Sequence, residues 1–141
     1  MNVRIATAVD ASLLAWLDQN CSFSAHWDKV GWQKELANPA CRVWCCEING
    51  KLVGFMALRG AADQYEITNL AVEADMRRQG VGTELVSHAL AQLPGGDVTL
   101  EVSVKNMPAI SLYEKCGFVC RGVRKKFYKD GSDAWIMGKR I

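Results

Sequence analysis

Apolar and polar positions change period several times along the chain, and those changes mark its elements. Val3-Arg4-Ile5-Ala6-Thr7 alternates and reads as a short strand. Leu13, Leu14, Trp16 and Leu17 form the apolar stripe of a helix reaching about Gln19, with Asp10 placed to cap it. A second helix is expected from about Asp28 to Leu36, ended by Asn38-Pro39. Arg42–Ile48 and Lys51–Arg59 read as strands, and Asn49-Gly50 between them is a strong hairpin signal. Tyr65–Val72 is the next strand. From Val81 the apolar residues fall at Val81, Leu85, Val86, Ala89 and Leu90, a helical spacing that Pro94-Gly95-Gly96 breaks. Val98–Val104 alternates as a strand, and Asn106 caps a helix running through Lys115 and ended by Gly117. Phe118–Tyr128 and Ala134–Lys139 are the last two expected strands, with a turn at Asp130-Gly131. The resulting order, β-α-α-β-β-β-α-β-α-β-β, implies an α+β fold with a mixed sheet and helices on both faces. At 141 residues, without a repeat or linker, residues 1–141 are expected to form one domain.

Composition narrows the function classes. Half of the residues are hydrophobic, enough for a single core, and the net charge of +2 is too mild to point to direct nucleic-acid binding. No apolar run is long enough to span a bilayer and no signal peptide is visible, so no membrane partner is expected. The six cysteines (Cys21, Cys41, Cys45, Cys46, Cys116 and Cys120) form no C-x-x-C pair. Cys41, Cys45 and Cys46, in or beside a predicted strand, read as buried thiols, the six together as structural thiols of a cytoplasmic protein, and no metal site is expected.

The candidate chemistry begins in Asn69–Leu90. An apolar strand end, Leu70-Ala71-Val72, leads through a polar connection to Gly80, Gly82 and a helix start. Free backbone N–H groups and the positive end of a helix dipole make such a junction an anion site, and Arg77 and Arg78 add charge and forked donors. The P-loop pattern is absent. The dinucleotide fingerprint fails because Leu85 occupies its third glycine position.

Arg77-Arg78-Gln79-Gly80-Val81-Gly82-Thr83 resembles the R/Q-x-x-G-x-G/A acetyl-CoA signature of the GCN5-related N-acetyltransferase (GNAT) superfamily. Downstream, the run from Asn106 through Ala109, Leu112-Tyr113 and Gly117-Phe118 resembles that superfamily's N-x-x-A-x-x-L-Y-x-x-x-G-F segment. Within it, Phe23–Trp27, Ile67–Val72, Thr99–Val102 and the ending Arg124–Met137 resemble the RimI-type ribosomal-protein alanine N-acetyltransferases. The chain departs from that type at Phe127, the first aromatic position of a typical Arg-x-x-Tyr-Tyr ending, and in the short connection before Val98.

The resemblance implies a splayed mixed β-sheet and transfer of acetyl from acetyl-CoA to an amine. The implied acceptor is the N-terminal α-amine of a protein, the N-terminal alanine of a small-subunit ribosomal protein. Alternatives are a small amine such as a polyamine or antibiotic, a protein lysine, or a non-catalytic CoA-binding module. It assigns Leu70, Ala71 and Val72 to pantetheine through their backbone, Arg77, Arg78, Gln79, Gly80, Val81, Gly82 and Thr83 to the pyrophosphate loop, and Asn106 to a CoA contact, although capping alone also explains Asn106.

Glu101 projects from the polar side of an alternating strand with Thr99 and Ser103. By pattern alone it is a solvated carboxylate, and by resemblance the catalytic base, with Glu66 and Glu73 as rivals. Tyr113 is by pattern a core tyrosine and by resemblance the acid that protonates the departing thiolate. His26 sits where a substrate wall is expected, His88 on a helix surface, and Arg121, Arg124, Lys125 and Lys126 form a basic run that reads as a solvated strand end.

Overall fold

The computed structural model describes residues Met1–Ile141. Its elements follow the expected order: β1 (Asn2–Ile5), α1 (Ala11–Gln19), α2 (Lys29–Ala37), β2 (Cys41–Ile48), β3 (Lys51–Ala61), β4 (Gln64–Val72), α3 (Val81–Ala91), β5 (Asp97–Ser103), α4 (Met107–Lys115), β6 (Val119–Arg124) and β7 (Ala134–Arg140). The strands form one seven-stranded sheet in the order β1-β2-β3-β4-β5-β7-β6. Only β4 and β5 run parallel.

The sheet has a core on each face. On one, Val81, Leu85, Val86 and Ala89 of α3 and Ile110 of α4 pack on Met56, Leu58, Ile67 and Leu100. On the other, Leu14 and Leu17 of α1 and Trp32 of α2 cover Val43, Cys45, Phe55 and Ala57. Trp32 is fully buried, and its ring meets those of Phe55 at 4.8 Å and Trp27 at 4.9 Å, both edge to face. All six cysteines are free. Burial pushes the Cys45 thiol up to about 12, as suits an inert core residue. Cys120 is exposed, on the edge strand β6.

Two local expectations are corrected. Asp10 does not cap α1. Its carboxylate takes both terminal nitrogens of Arg4, at 2.8 and 2.9 Å, and the backbone N–H of Thr7 at 2.8 Å. The Arg4 guanidinium holds that carboxyl below the usual carboxylate range. The strand expected to reach Tyr128 stops at Arg124. Lys126 turns left-handed (φ 50°), its N–H bonds the Asp133 carboxylate at 2.9 Å, and the Tyr128 N–H bonds the Ser132 carbonyl at 3.2 Å. These local acceptors replace the β7 ladder, so residues 125–133 form a loop.

The feature that creates the functional site is a parting of strands. β4 and β5 pair only from Gln64↔Asp97 to Ile67↔Leu100. Beyond that, β4 stays with β3 to Val72 and β5 stays with β7 to Ser103. A β-bulge lies at the point of separation: Leu58 faces Ile67 and Ala57 faces Asn69, leaving Thr68 as the extra residue. The bulge reverses the alternation of β4. Tyr65 and Ile67 point to the α3–α4 core before it, and Leu70 and Val72 do so after it. Ala71 packs in the α1–α2 core, and Asn69 reaches Asp18 of α1.

Candidate active site

A cleft of about 730 Å³ opens where β4 and β5 part. Its floor is Glu66–Leu70 and Glu101–Ser103, with Asn106, Ala109 and Tyr113 of α4 behind. One wall is Ser22–His26, and the other is Phe127–Asp130 with Ser132. Glu101 and Tyr113 are therefore brought to one space from different elements. Glu66 joins them, whereas Glu73 does not: it lies past the end of β4, with one oxygen 3.1 Å from Lys51 Nζ.

Glu101 is half-buried, and its Oε1 lies 3.1 Å from Arg124 Nε. The other oxygen has no protein partner. Arg124 also sits 5.7 Å from the Phe127 ring centroid, and Phe127 meets Tyr128 edge to face at 5.1 Å. Tyr113 is buried, packs edge to face on Phe118 at 5.6 Å, and donates its hydroxyl to no protein group. Burial raises the phenol above its ordinary value, with smaller contributions from Cys116 and Tyr128. The Tyr128 phenol is raised too, by burial and then by the charge of Glu101.

Past Ile67, β4 has no neighbour on its β5 side, so the main chain of Leu70, Ala71 and Val72 presents an open strand edge. The Val72 carbonyl is already approached by Arg77 Nε at 3.3 Å and by the Cys21 thiol at 3.7 Å. Arg77 thus folds back on the strand instead of projecting over the anion site. The loop that follows fits an anion. The N–H groups from Arg78 to Thr83 donate to no protein acceptor, and Val81 opens an eleven-residue helix. Arg78 and Gly80 are left-handed, at φ 65° and 82°, which turns successive amides toward one side. Gly82 answers a different need: a Cβ there would come within 2.3 Å of the Leu112 methyl, so its absence lets α4 lie against α3. The Gln79 amide nitrogen is tied to the Asp75 carbonyl at 3.4 Å. Asn106 caps α4 by accepting the Ala109 N–H at 3.3 Å while also lining the cleft.

The Ser22–His26 wall is built on α1. Ser24 donates to the Asp18 carbonyl at 2.8 Å, and the Gln19 amide donates to the His26 carbonyl at 2.7 Å. His26 is left-handed (φ 61°), and its ring Nε2 contacts the Cys21 carbonyl. His88 lies on α3, outside the cleft. The sequence reading missed Asp18 and Asn69, the buried pair beneath this wall. Asp18 carried a signal, since it interrupts the apolar stripe one turn after Leu14. It also missed Arg124 as the partner of Glu101.

A sheet whose one parallel pair parts beside a bulge in β4, an amide-lined turn at a helix start and a cleft bearing a carboxylate and a phenol fit an acyl-CoA-dependent transferase. The chain belongs to the acetyltransferase (GNAT) family, whose model matches residues 10–118, and it is an acetyl-CoA-dependent N-acetyltransferase. The ribosomal protein bS18-alanine N-acetyltransferase of Escherichia coli (strain K12) is 38% identical over 99 residues, 66% of this chain and 67% of that protein. N-alpha-acetyltransferase RimI of Mycobacterium tuberculosis is 31% identical over 116 residues, 79% of this chain and 73% of that protein. The crystal structure of the E. coli ribosomal-protein-S18-alanine N-acetyltransferase superposes with a TM-score of 0.87 at 27% identity, covering 99% of this chain and 93% of that one.

Proposed function

We propose that this enzyme acetylates the N-terminal α-amine of a small-subunit ribosomal protein, at an N-terminal alanine, as the name of its E. coli relative describes for that protein, the M. tuberculosis relative being named an N-alpha-acetyltransferase. The observation that carries the mechanism is the convergence of Glu101 and Tyr113 on one cleft where β4 and β5 part.

An amine must be neutral to attack. An α-amino group with a pKa near 7.7–8.0 gives up its proton at pH 7 for about 1 kcal/mol, whereas a lysine near 10.4 needs about 4.6 kcal/mol. One modest base therefore suffices for an N-terminus. Glu101 takes that proton, directly or through water, on the oxygen that Arg124 leaves free. As the new N–C bond forms and the C–S bond breaks, Tyr113 delivers its phenolic proton to the departing sulfur. The second proton released by nitrogen returns to the phenol. Leu70–Val72 hold the pantetheine arm as an added strand, and the amides of Arg78–Thr83 hold the pyrophosphate.

Replacing Gly80 by alanine tests the loop. A Cβ there meets nothing within 4 Å, so the penalty is conformational: left-handed backbone at φ 82°. That costs a non-glycine residue about 1–2 kcal/mol. The KM for acetyl-CoA is expected to rise roughly five- to tenfold, with kcat at saturation near wild type.

The acceptor is tested by initial rates with acetyl-CoA and three substrate sets: peptides beginning with alanine, α-blocked peptides carrying internal lysine, and polyamines. Turnover of the free alanine peptides is expected. Turnover confined to blocked lysine peptides or to polyamines would overturn the acceptor assignment.

A further inference from the structure

We propose that Asp18 and Asn69 are positioning residues that set the enzyme's affinity for its acceptor by fixing the Ser22–His26 wall of the cleft. The inference rests on the reading that this wall faces the acceptor. Asp18 is completely buried and has no cationic partner, yet four N–H groups meet its carboxylate. Its Oδ1 accepts the His26 N–H at 2.8 Å. Its Oδ2 accepts the Trp27 N–H at 2.8 Å, the Asn69 side-chain amide at 2.9 Å and the Trp32 indole at 3.2 Å. Asn69 completes the circuit, because its carbonyl oxygen accepts the Ala25 N–H at 3.1 Å.

A buried carboxylate is tolerated only when its lone pairs are filled, and here loop amides fill them. Three consecutive amides, at Ala25 and His26 of the wall and at Trp27 just after it, end on these two side chains. Asn69 stands immediately after the bulge that opens the cleft and immediately before the strand edge at Leu70. The wall is therefore referenced to the strand that carries the donor site. An unanchored wall must be ordered anew each time an acceptor binds, which weakens binding without touching the reacting groups.

The test uses Asp18→Asn and Asn69→Ala, with Trp32→Phe as control. Asparagine at position 18 places an NH2 where an oxygen now faces N–H donors. Trp32→Phe removes one hydrogen bond to Asp18 but none that holds the wall. Both wall variants are expected to raise the KM for the acceptor about tenfold, equivalent to the ordering of one or two side chains. The KM for acetyl-CoA should stay unchanged, and amide hydrogen exchange at residues 25–27 should accelerate. The control should leave acceptor KM and that exchange at wild-type values even if it lowers the melting temperature. The proposal is overturned if folded Asp18→Asn and Asn69→Ala keep the wild-type acceptor KM, or if Trp32→Phe raises it equally. The acceptor is whichever amine the wild type turns over, and exchange needs no acceptor, so a wrong acceptor class would be seen separately.

Discussion

Glu101→Gln is expected to lower kcat by about 10²–10³-fold while the dissociation constant for acetyl-CoA stays within about twofold of wild type, the range typical for loss of a general base. The amide is isosteric and preserves the contour of the cleft, but it cannot accept the ammonium proton. The loss should therefore fall on turnover and spare donor binding, which we assign to the strand edge at Leu70–Val72 and the Arg78–Thr83 loop. Glu66 is the other carboxylate on the cleft floor, so Glu66→Gln is the matched comparison and should cost far less. Steady-state rates with saturating acceptor, paired with equilibrium binding of CoA, separate the two variants. Full turnover in Glu101→Gln would remove Glu101 from the mechanism.

The second large effect is expected from Tyr113→Phe, a loss of about 10²-fold in kcat for want of the acid. Its interest lies in what should not change. The hydroxyl bonds no protein group and the ring keeps its edge-to-face contact with Phe118, so folding stability should move by no more than about 0.5–1 kcal/mol. A phenol raised above its ordinary value stays protonated through neutral and moderately alkaline pH, so it remains a donor there. The wild-type rate should accordingly show no fall from Tyr113 below about pH 10. Wild-type turnover in the phenylalanine variant, or a large drop in its melting temperature with normal kcat per folded molecule, would assign Tyr113 to packing alone.

Most of the architecture was legible because each element announced itself locally: the Asn49-Gly50 hairpin, the helical spacing after Val81, and the clean alternation of β5. What escaped was set by contacts distant in sequence. The bulge at Thr68 shows in the sequence only as two adjacent polar residues, Thr68-Asn69, and its place is set by register against β3. Asp10 looked like a cap because its competitor, Arg4, comes from another element. The end of β6 depends on Asp133 and Ser132 drawing amides away from β7. In the site, the cleft residues Glu101, Tyr113 and Asn106 were singled out by the family resemblance, since pattern alone read them as a solvated carboxylate, a core tyrosine and a helix cap. The Arg124–Glu101 pair and the Asp18–Asn69 anchor were not, because neither partner's role shows until the chain is folded.

The atom that receives the acetyl group decides the acceptor. Tandem mass spectrometry of intact bS18, begun at its alanine and incubated with the enzyme and acetyl-CoA, locates it directly. Acetyl on the N-terminal nitrogen, appearing with wild type and nearly absent with Glu101→Gln, is the predicted result. Acetyl found only on internal lysines, or none transferred while CoA still binds, would contradict it.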